Sequence, residues 1–415
     1  MNRFASRLIA ATLAACILPV TAFAQNESGG APGSWLSGYA GARTVGLGGA
    51  FVATADDALG ILWNPAGLQW MDQNQAMFES VRMFEDTYIN SLSFALPGSR
   101  LPSLGVSIVS LSSGEFQRTN ELNNPLGTFS EGETAYLFSM AKGLGSRLTV
   151  GTNFKLVHQS IEEFSGGGFG MDLGGIYQVT PGLRVGASVL NLGGPSITLR
   201  SEAETYPTEI RGGASLVVLN GRAHLSAEVD HSNGPGTSLH GGAEYWVQPG
   251  IALRLGYSDD RATGGFTYRF GPQYQFDYGV ADHALGLTHR VGFSYRFGGF
   301  YASNHADPEV FSPTGDKAVT KISLNAKTKS RAENWTLEIV NKSSQVVRRF
   351  GGQGQPPAHV LWDGKDETGM PVADGVYTYR LTVKDSDGRE LNASTRKVEI
   401  STGGPQVTVP VQTNP

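Results

Sequence analysis

Gly46-Leu47-Gly48-Gly49-Ala50 has the glycine density of a loop that cradles phosphate, and Asp56-Asp57 has the paired carboxylates of a cation site. The glycine run lacks a following Gly-Lys-Ser/Thr and follows no strand–helix unit, so it reads as a packed turn. Asp56-Asp57 suits Ca²⁺, and equally suits a cap on a helix or turn at 58–62. Asp385-Ser386-Asp387-Gly388 echoes part of a calcium loop, but a plain hairpin turn explains the same residues. The eight histidines form no His-Glu-x-x-His, and His224, His231 and His240 fall on different elements. There is no Gly-x-Ser-x-Gly elbow. The expectation is therefore no catalytic residue, no cofactor and no metal: the chain is not read as an enzyme. A net charge of −5 also argues against nucleic acid as a partner.

The elements around these residues point elsewhere. Residues 1–24 read as a secretory signal, with Arg3 and Arg7, an apolar stretch over 8–20 and a cleavage site at Ala22-Phe23-Ala24. Leu13-Ala14-Ala15-Cys16 also fits a lipoprotein box. Cleavage after Ala24 removes Cys16, the one cysteine, and with it any thiol chemistry. No later run is long and apolar enough for a membrane helix.

From residue 75 to residue 297 the chain reads as fourteen short strands. Tight connections at 98–102, 143–146, 180–181, 219–221, 248–249 and 271–272 alternate with longer ones at 113–132, 159–167, 192–206, 231–236 and 281–287. An antiparallel sheet puts alternate connections at opposite ends, which is the habit of an outer-membrane barrel with its short turns on the periplasmic side. Phe266, Tyr268 and Phe270 alternate with Thr267 and Arg269, and Phe293, Tyr295 and Phe297 alternate with Ser294 and Arg296. Lipid outside and a polar interior select that pattern; a soluble sandwich with an aromatic core is the competing reading. The 55 glycines suit many turns and crowded backbone.

The resulting fold class is all-β: a 14-stranded antiparallel transmembrane barrel with an N-terminal plug, followed by a small immunoglobulin-like sandwich. Its expected parts are a plug at 25–74, a barrel at 75–301, a linker at 302–317, the C-terminal domain at 318–402 and a disordered tail at 403–415. An even strand count puts plug and C-terminal domain on the periplasmic face and leaves the long loops as the outward surface.

Three stretches carry resemblances. Residues 41–53, then Asp56-Asp57-Ala58, then Trp63-Asn64-Pro65-Ala66-Gly67-Leu68 resemble the N-terminal signature of the PorV/PorQ family, and the Asn-Pro-Ala element is similar to that of FadL-type fatty-acid transporters. The resemblance implies a fourteen-stranded barrel whose hatch includes Trp63, Asn64, Pro65, Ala66 and Gly67. Pro65 fixes its own φ and restricts Asn64, Gly67 permits a sharp turn, and Trp63 is suited to anchor the plug. Gly292, Tyr295 and Phe297, in the strand Gly292-Phe293-Ser294-Tyr295-Arg296-Phe297, resemble the terminal β-signal of outer-membrane barrels, although Val291 stands where a polar residue is preferred. Trp362-Asp363-Gly364 and Asp374-Gly375-Val376-Tyr377-Thr378-Tyr379 resemble the FlgD immunoglobulin-like domain.

Two functions follow from the resemblance. The first is a PorV-like component of type IX protein export, with a secretion translocon and secreted cargo as partners. The second is a FadL-like gated transporter whose ligand is a hydrophobic small molecule. Outer-membrane lipid and a periplasmic partner of the C-terminal domain complete the expected contacts.

Overall fold

The computed structural model describes residues 32–37, 41–84, 86–99, 101–233, 236–259, 261–283, 285–315 and 318–402. The signal segment with Cys16 and the tail at 403–415 lie outside the described residues.

Fourteen antiparallel strands close into a barrel, from Asn74–Arg82 round to Gly286–Phe297, which pair with each other through Asn74↔Phe297 to Arg82↔His289. Closure leaves no sheet edge at the seam, which is what lets a sheet stand in lipid. Alternation fixes the faces. In Leu148–Ile161, Val150, Phe154 and Leu156 are exposed outward while Thr149, Asn153 and Lys155 are buried inward. Phe266, Tyr268 and Phe270 face out in the same way, and Thr267 faces in. An aromatic and aliphatic exterior on a closed barrel marks a membrane wall, not a soluble sandwich.

Six turns at one end are short throughout. At the other end only 113–130 and 193–208 are long. Residues 159–167, 231–236 and 281–287, expected as loops, are mostly strand: Leu148–Ile161 and Phe164–Thr180 run on to a two-residue turn, Ala223–Ser232 meets Gly236–Gln248, and Tyr274–His283 meets Gly286–Phe297. Polar and glycine residues that read as loop there continue the ladder as tall hairpins. Residues 116–129 form a hairpin of their own, Phe116–Thr119 with Pro125–Phe129. The loop at 193–208 does not serve as outward surface. Its hairpin, Ser196–Thr198 with Ala203–Thr205, packs on the glycine-lined inner face of Phe164–Thr180, and Ile197 and Tyr206 are buried.

The plug is built from short helices, Ser34–Ser37, Ala42–Gly46 and Gly60–Trp63, and a 3₁₀ turn at Pro65–Trp70. The glycine excess is explained here as well as in the turns. At Gly151, Gly174, Gly186, Gly242, Gly256 and Gly279, on six different strands, a Cβ would lie within 3.0 Å of plug atoms. The wall gives up side chains where the plug backbone runs against it.

The C-terminal domain starts earlier than the sequence suggests. Tyr301–Asp307, which begins at the expected end of the barrel and runs into the expected linker, pairs with Thr320–Lys327, which also pairs with His359–Trp362. A second sheet sets Ala332–Val340 between Val346–Gln353 and Gly375–Asp385, with Arg396–Ile400 beyond. Trp362 and Tyr379 fill the core; Phe311 and Tyr377 meet the Trp362 ring edge-on at 5.5 Å each. Asp385 Oδ1 accepts from the Asp387 and Arg389 amides, so 385–388 is a hairpin turn with Gly388 at φ 79°.

Candidate functional site: a plugged lumen with two faces

Asn64 is the plug's central anchor. It is extended, as a residue before proline must be, and its Oδ1 caps the Pro65–Trp70 turn by accepting from the Ala66 amide at 3.2 Å. Its Nδ2 donates to Val52 O at 2.8 Å within the plug, and to Gly175 O and Ala187 O of the wall at 3.2 and 3.3 Å. Pro65 and Ala66 lie against Gly151. Trp63 meets Phe51 edge-on at 6.3 Å and carries the Arg211 guanidinium 4.2 Å above its ring. Gly67 differs from expectation: its φ is not left-handed, and what it permits is close packing, since a Cβ would lie 2.7 Å from Ala55 O. Gly292 faces inward onto the Glu79 carboxylate, and Tyr295 and Phe297 face outward on the closing strand, Phe297 stacked on Phe94 at 6.0 Å.

One half of the lumen wall is charged and grips the plug backbone. Glu228 accepts from the Phe51 and Val52 amides at 2.7 Å each, Glu79 from the Ala42 amide at 2.8 Å, and Gln75 from the Ala58 amide at 3.0 Å. Asn153 donates to Ile61 O at 2.6 Å. Arg43 reaches Asp56 at 2.5 Å, Asp57 at 2.7 Å and Glu244 at 3.3 Å; Arg254 links Glu244 to Asp277. Asp56-Asp57 therefore hold a guanidinium, and Asp57 also accepts from the Leu59 amide. Among the described residues no group of carboxylates, histidines or cysteines is arranged to hold a metal ion. Burial works against the Asp56 charge, but Arg43 outweighs it and holds that carboxyl below its ordinary range.

The other half is apolar. Met77, Val81, Ile89, Val109, Leu137 and Val157 face inward and are covered by Trp35 and Leu36 of the plug and by Ile197 and Tyr206 of the inward loop. Trp35 Nε1 and the Tyr206 hydroxyl both donate to Glu133, at 2.7 and 2.5 Å. Burial, with the Glu133 carboxylate beside it, pushes the Tyr206 hydroxyl up and keeps it a donor. Above this cover lies a cavity of about 300 Å³ bordered by Glu209, Asp230 and His240.

The wall itself is incomplete beside the inward loop. Phe164–Thr180 pairs with Leu183–Leu192 only from Met171 onward, with a bulge at Leu190-Asn191 where Asn191 takes φ 58°. Lys155 and Asp172 pin that bulge, Nζ donating to Asn191 Oδ1 at 2.7 Å and Asp172 Oδ1 accepting from the Asn191 amide at 2.8 Å. Residues 164–170 have no ladder partner on that side.

At the short-turn end the C-terminal domain touches the plug. Lys329 Nζ donates to Gln69 O at 2.6 Å and Met71 O at 2.9 Å, and Arg389 donates to Gln69 O at 3.2 Å. Burial, then the neighbouring Arg389 charge, pushes the Lys329 amine down to about 7 from 10.5. Below the lower value both states carry the proton and the shift contributes nothing. As pH rises from 7 towards 10.5 the unfolded chain holds more protons than the folded one, so this contact gains stability. Limited proteolysis at 69–71 should therefore slow between about pH 6 and about pH 9. An unchanged or opposite trend, or the same trend in Lys329→Met, would refute this.

Of the residues that hold the plug, the sequence signals the 63–67 group and Asp56-Asp57, the latter without their partner Arg43. Glu79, Glu228 and Glu244 look like ordinary strand polar residues, and only their inward phase could have nominated them.

A family model described as the FlgD Ig-like domain matches residues 311–387. No curated protein matches the chain. Among solved structures, the toluene transporter TodX of Pseudomonas putida is 14% identical with a TM-score of 0.47, over 62% of this chain and 96% of that one. The CymD monoaromatic hydrocarbon channel is 16% identical with a TM-score of 0.48, over 63% and 98%. A FadL homologue of Pseudomonas aeruginosa is 11% identical with a TM-score of 0.47, over 63% and 99%.

Proposed function

We propose that this chain is an outer-membrane barrel that passes hydrophobic small molecules through a gated lumen, with its C-terminal domain in the periplasm. One observation carries the reading: the apolar half of the lumen packs against apolar plug and inward-loop side chains, Trp35, Leu36, Ile197 and Tyr206 among them, beside the strand edge at 164–170 that has no ladder partner. An apolar passenger replaces those side chains at little cost, because the surface they cover is already apolar. The charged half keeps the rest of the plug in place meanwhile. The short turns, together with both ends of the barrel, support the periplasmic placement of plug and C-terminal domain.

The full chain reconstituted in lipid vesicles should speed uptake of a fluorescent long-chain fatty acid over protein-free vesicles. Trp35→Ala together with Ile197→Ala, which thins the cover, should change that rate while the barrel stays folded. Uptake at the protein-free rate sinks this reading. The second reading, a PorV-like export component, draws on the outward hairpin at 116–129, where Phe116, Leu122 and Leu126 are exposed. It expects a secretion translocon or secreted cargo to co-purify, and that recovery to be lost when the hairpin is deleted.

A further inference from the structure

Three guanidiniums converge at the short-turn end with no carboxylate in ion-pair contact among the described residues. Arg184, Arg269 and Arg296 all line a cavity of about 370 Å³ between the plug and the wall. Arg269 and Arg296 also line a second cavity, of about 550 Å³, between the barrel rim and the C-terminal domain. The two cavities thus adjoin at these two arginines, which line both. The acids nearby are already engaged: Asp56, Asp57 and Glu244 converge on Arg43, and Glu244 and Asp277 bind Arg254. Asp72, on the rim, lines both cavities, and Glu390 of the C-terminal domain lines the outer one.

Two of the three arginines are held by their faces. Arg184 lies 4.3 Å above the Trp70 ring and Arg269 lies 4.0 Å above Trp246. Stacking fixes a guanidinium plane and leaves its in-plane N–H groups free. Arg269 spends one donor on Gln275 Oε1 at 2.8 Å. The Nε of Arg296 is buried and has no acceptor. A buried donor without a partner costs free energy, and a ligand oxygen there would recover it. Structural arginines in the same barrel look different, as Arg43 and Arg254 show.

We propose that Arg184, Arg269 and Arg296 form a binding site for a phosphate-class oxyanion, beside the cleft between barrel and C-terminal domain. The shared chemistry is a phosphate group, either free or as the headgroup of an anionic phospholipid. The site does not depend on what passes through the lumen.

The test uses the full chain in a neutral maltoside detergent. Inorganic phosphate is titrated by calorimetry, and retained phosphatidylglycerol is measured by native mass spectrometry. Arg269→Gln and Arg296→Gln are each expected to weaken binding at least about tenfold, the effect of losing a charge-assisted hydrogen bond. Phosphate binding lost in these variants supports a free-phosphate site. Phospholipid retention lost in them, without phosphate binding, supports a headgroup site. Binding of neither probe to the wild-type chain overturns the proposal, as does binding that the variants leave unchanged. Should the arginine variants fail to fold, Asp72→Asn decides. Removing the rim charge must tighten binding several-fold, and unchanged or weaker binding is contrary to the proposal.

Discussion

Arg43→Ala is expected to detach the first part of the plug while leaving the barrel closed. Arg43 is the common partner of Asp56, Asp57 and Glu244, and it is buried with Asp57 and Glu244 while Asp56 is half-buried. Removing one side of a buried ion cluster costs roughly 3–5 kcal/mol, because the charges left behind have neither water nor a partner. Glu244 keeps Arg254, so the loss falls on Asp56 and Asp57. Hydrogen exchange should rise over 41–58, and heat-modifiable gel mobility should stay that of a folded barrel.

The pH dependence gives this prediction a sign. In the wild-type chain the Asp56 carboxyl lies below its ordinary range, so its stabilising share is present above the unfolded value of 3.8 and is lost as pH falls through the folded one. In Arg43→Ala the half-buried carboxyl keeps its desolvation and is left only the weaker attraction of Arg184 and His224, and its folded pKa is expected to move above the unfolded value. The folded variant then holds more protons than the unfolded one, and its stability recovers on acidification. The Asp56-linked slopes of stability against pH should therefore be opposite in the two proteins. Parallel slopes would show that Arg43 is not the group that holds the Asp56 charge.

Gly186→Val is the second large effect, and it works by volume. The inner face of Gly186 meets the plug backbone: a Cβ there would lie 2.5 Å from Val52 O and 2.8 Å from Ala53 Cα. Backbone cannot swing aside as a side chain does, so the plug must shift or leave. Overpacking of this kind costs roughly 1–3 kcal/mol or more. Valine is at the same time a better strand residue than glycine, so the wall itself has no reason to weaken. The expected result is a folded barrel with higher ion conductance in planar bilayers and a protease-sensitive plug. Gly212→Val, on a neighbouring strand where a Cβ meets nothing within 4 Å, is the control. Equal conductance in the two variants would remove the wall glycines from the account of how the plug sits.

The two effects describe a plug held in different ways on its two sides. On the charged side each contact is a buried polar pair and is costly to break singly. On the apolar side the cover is side chains over side chains, which a passenger of similar chemistry can replace. A hatch that opens on one side needs that asymmetry, and the contacts of Lys329 and Arg389 with Gln69 and Met71 tie its far end to the C-terminal domain.

The sequence by itself determined the strands, their faces and the barrel. Period-two alternation of aromatic with polar residues at 266–270 and 293–297 has one meaning once the chain must face lipid. The Trp362 and Tyr377-Thr378-Tyr379 spacing likewise carried the C-terminal sandwich, and Asn64-Pro65-Ala66 carried the plug turn. Tertiary structure decided three other things. A glycine has no side chain to show its phase, so Gly151, Gly174 and Gly186 read as turn or crowding until the plug is seen against them. A loop's length does not say which way it folds, so 192–206 read as outward surface although it lines the lumen. Glu228 and Glu244 meet their partners across 176 and 201 residues of chain, a distance over which no local pattern links two positions.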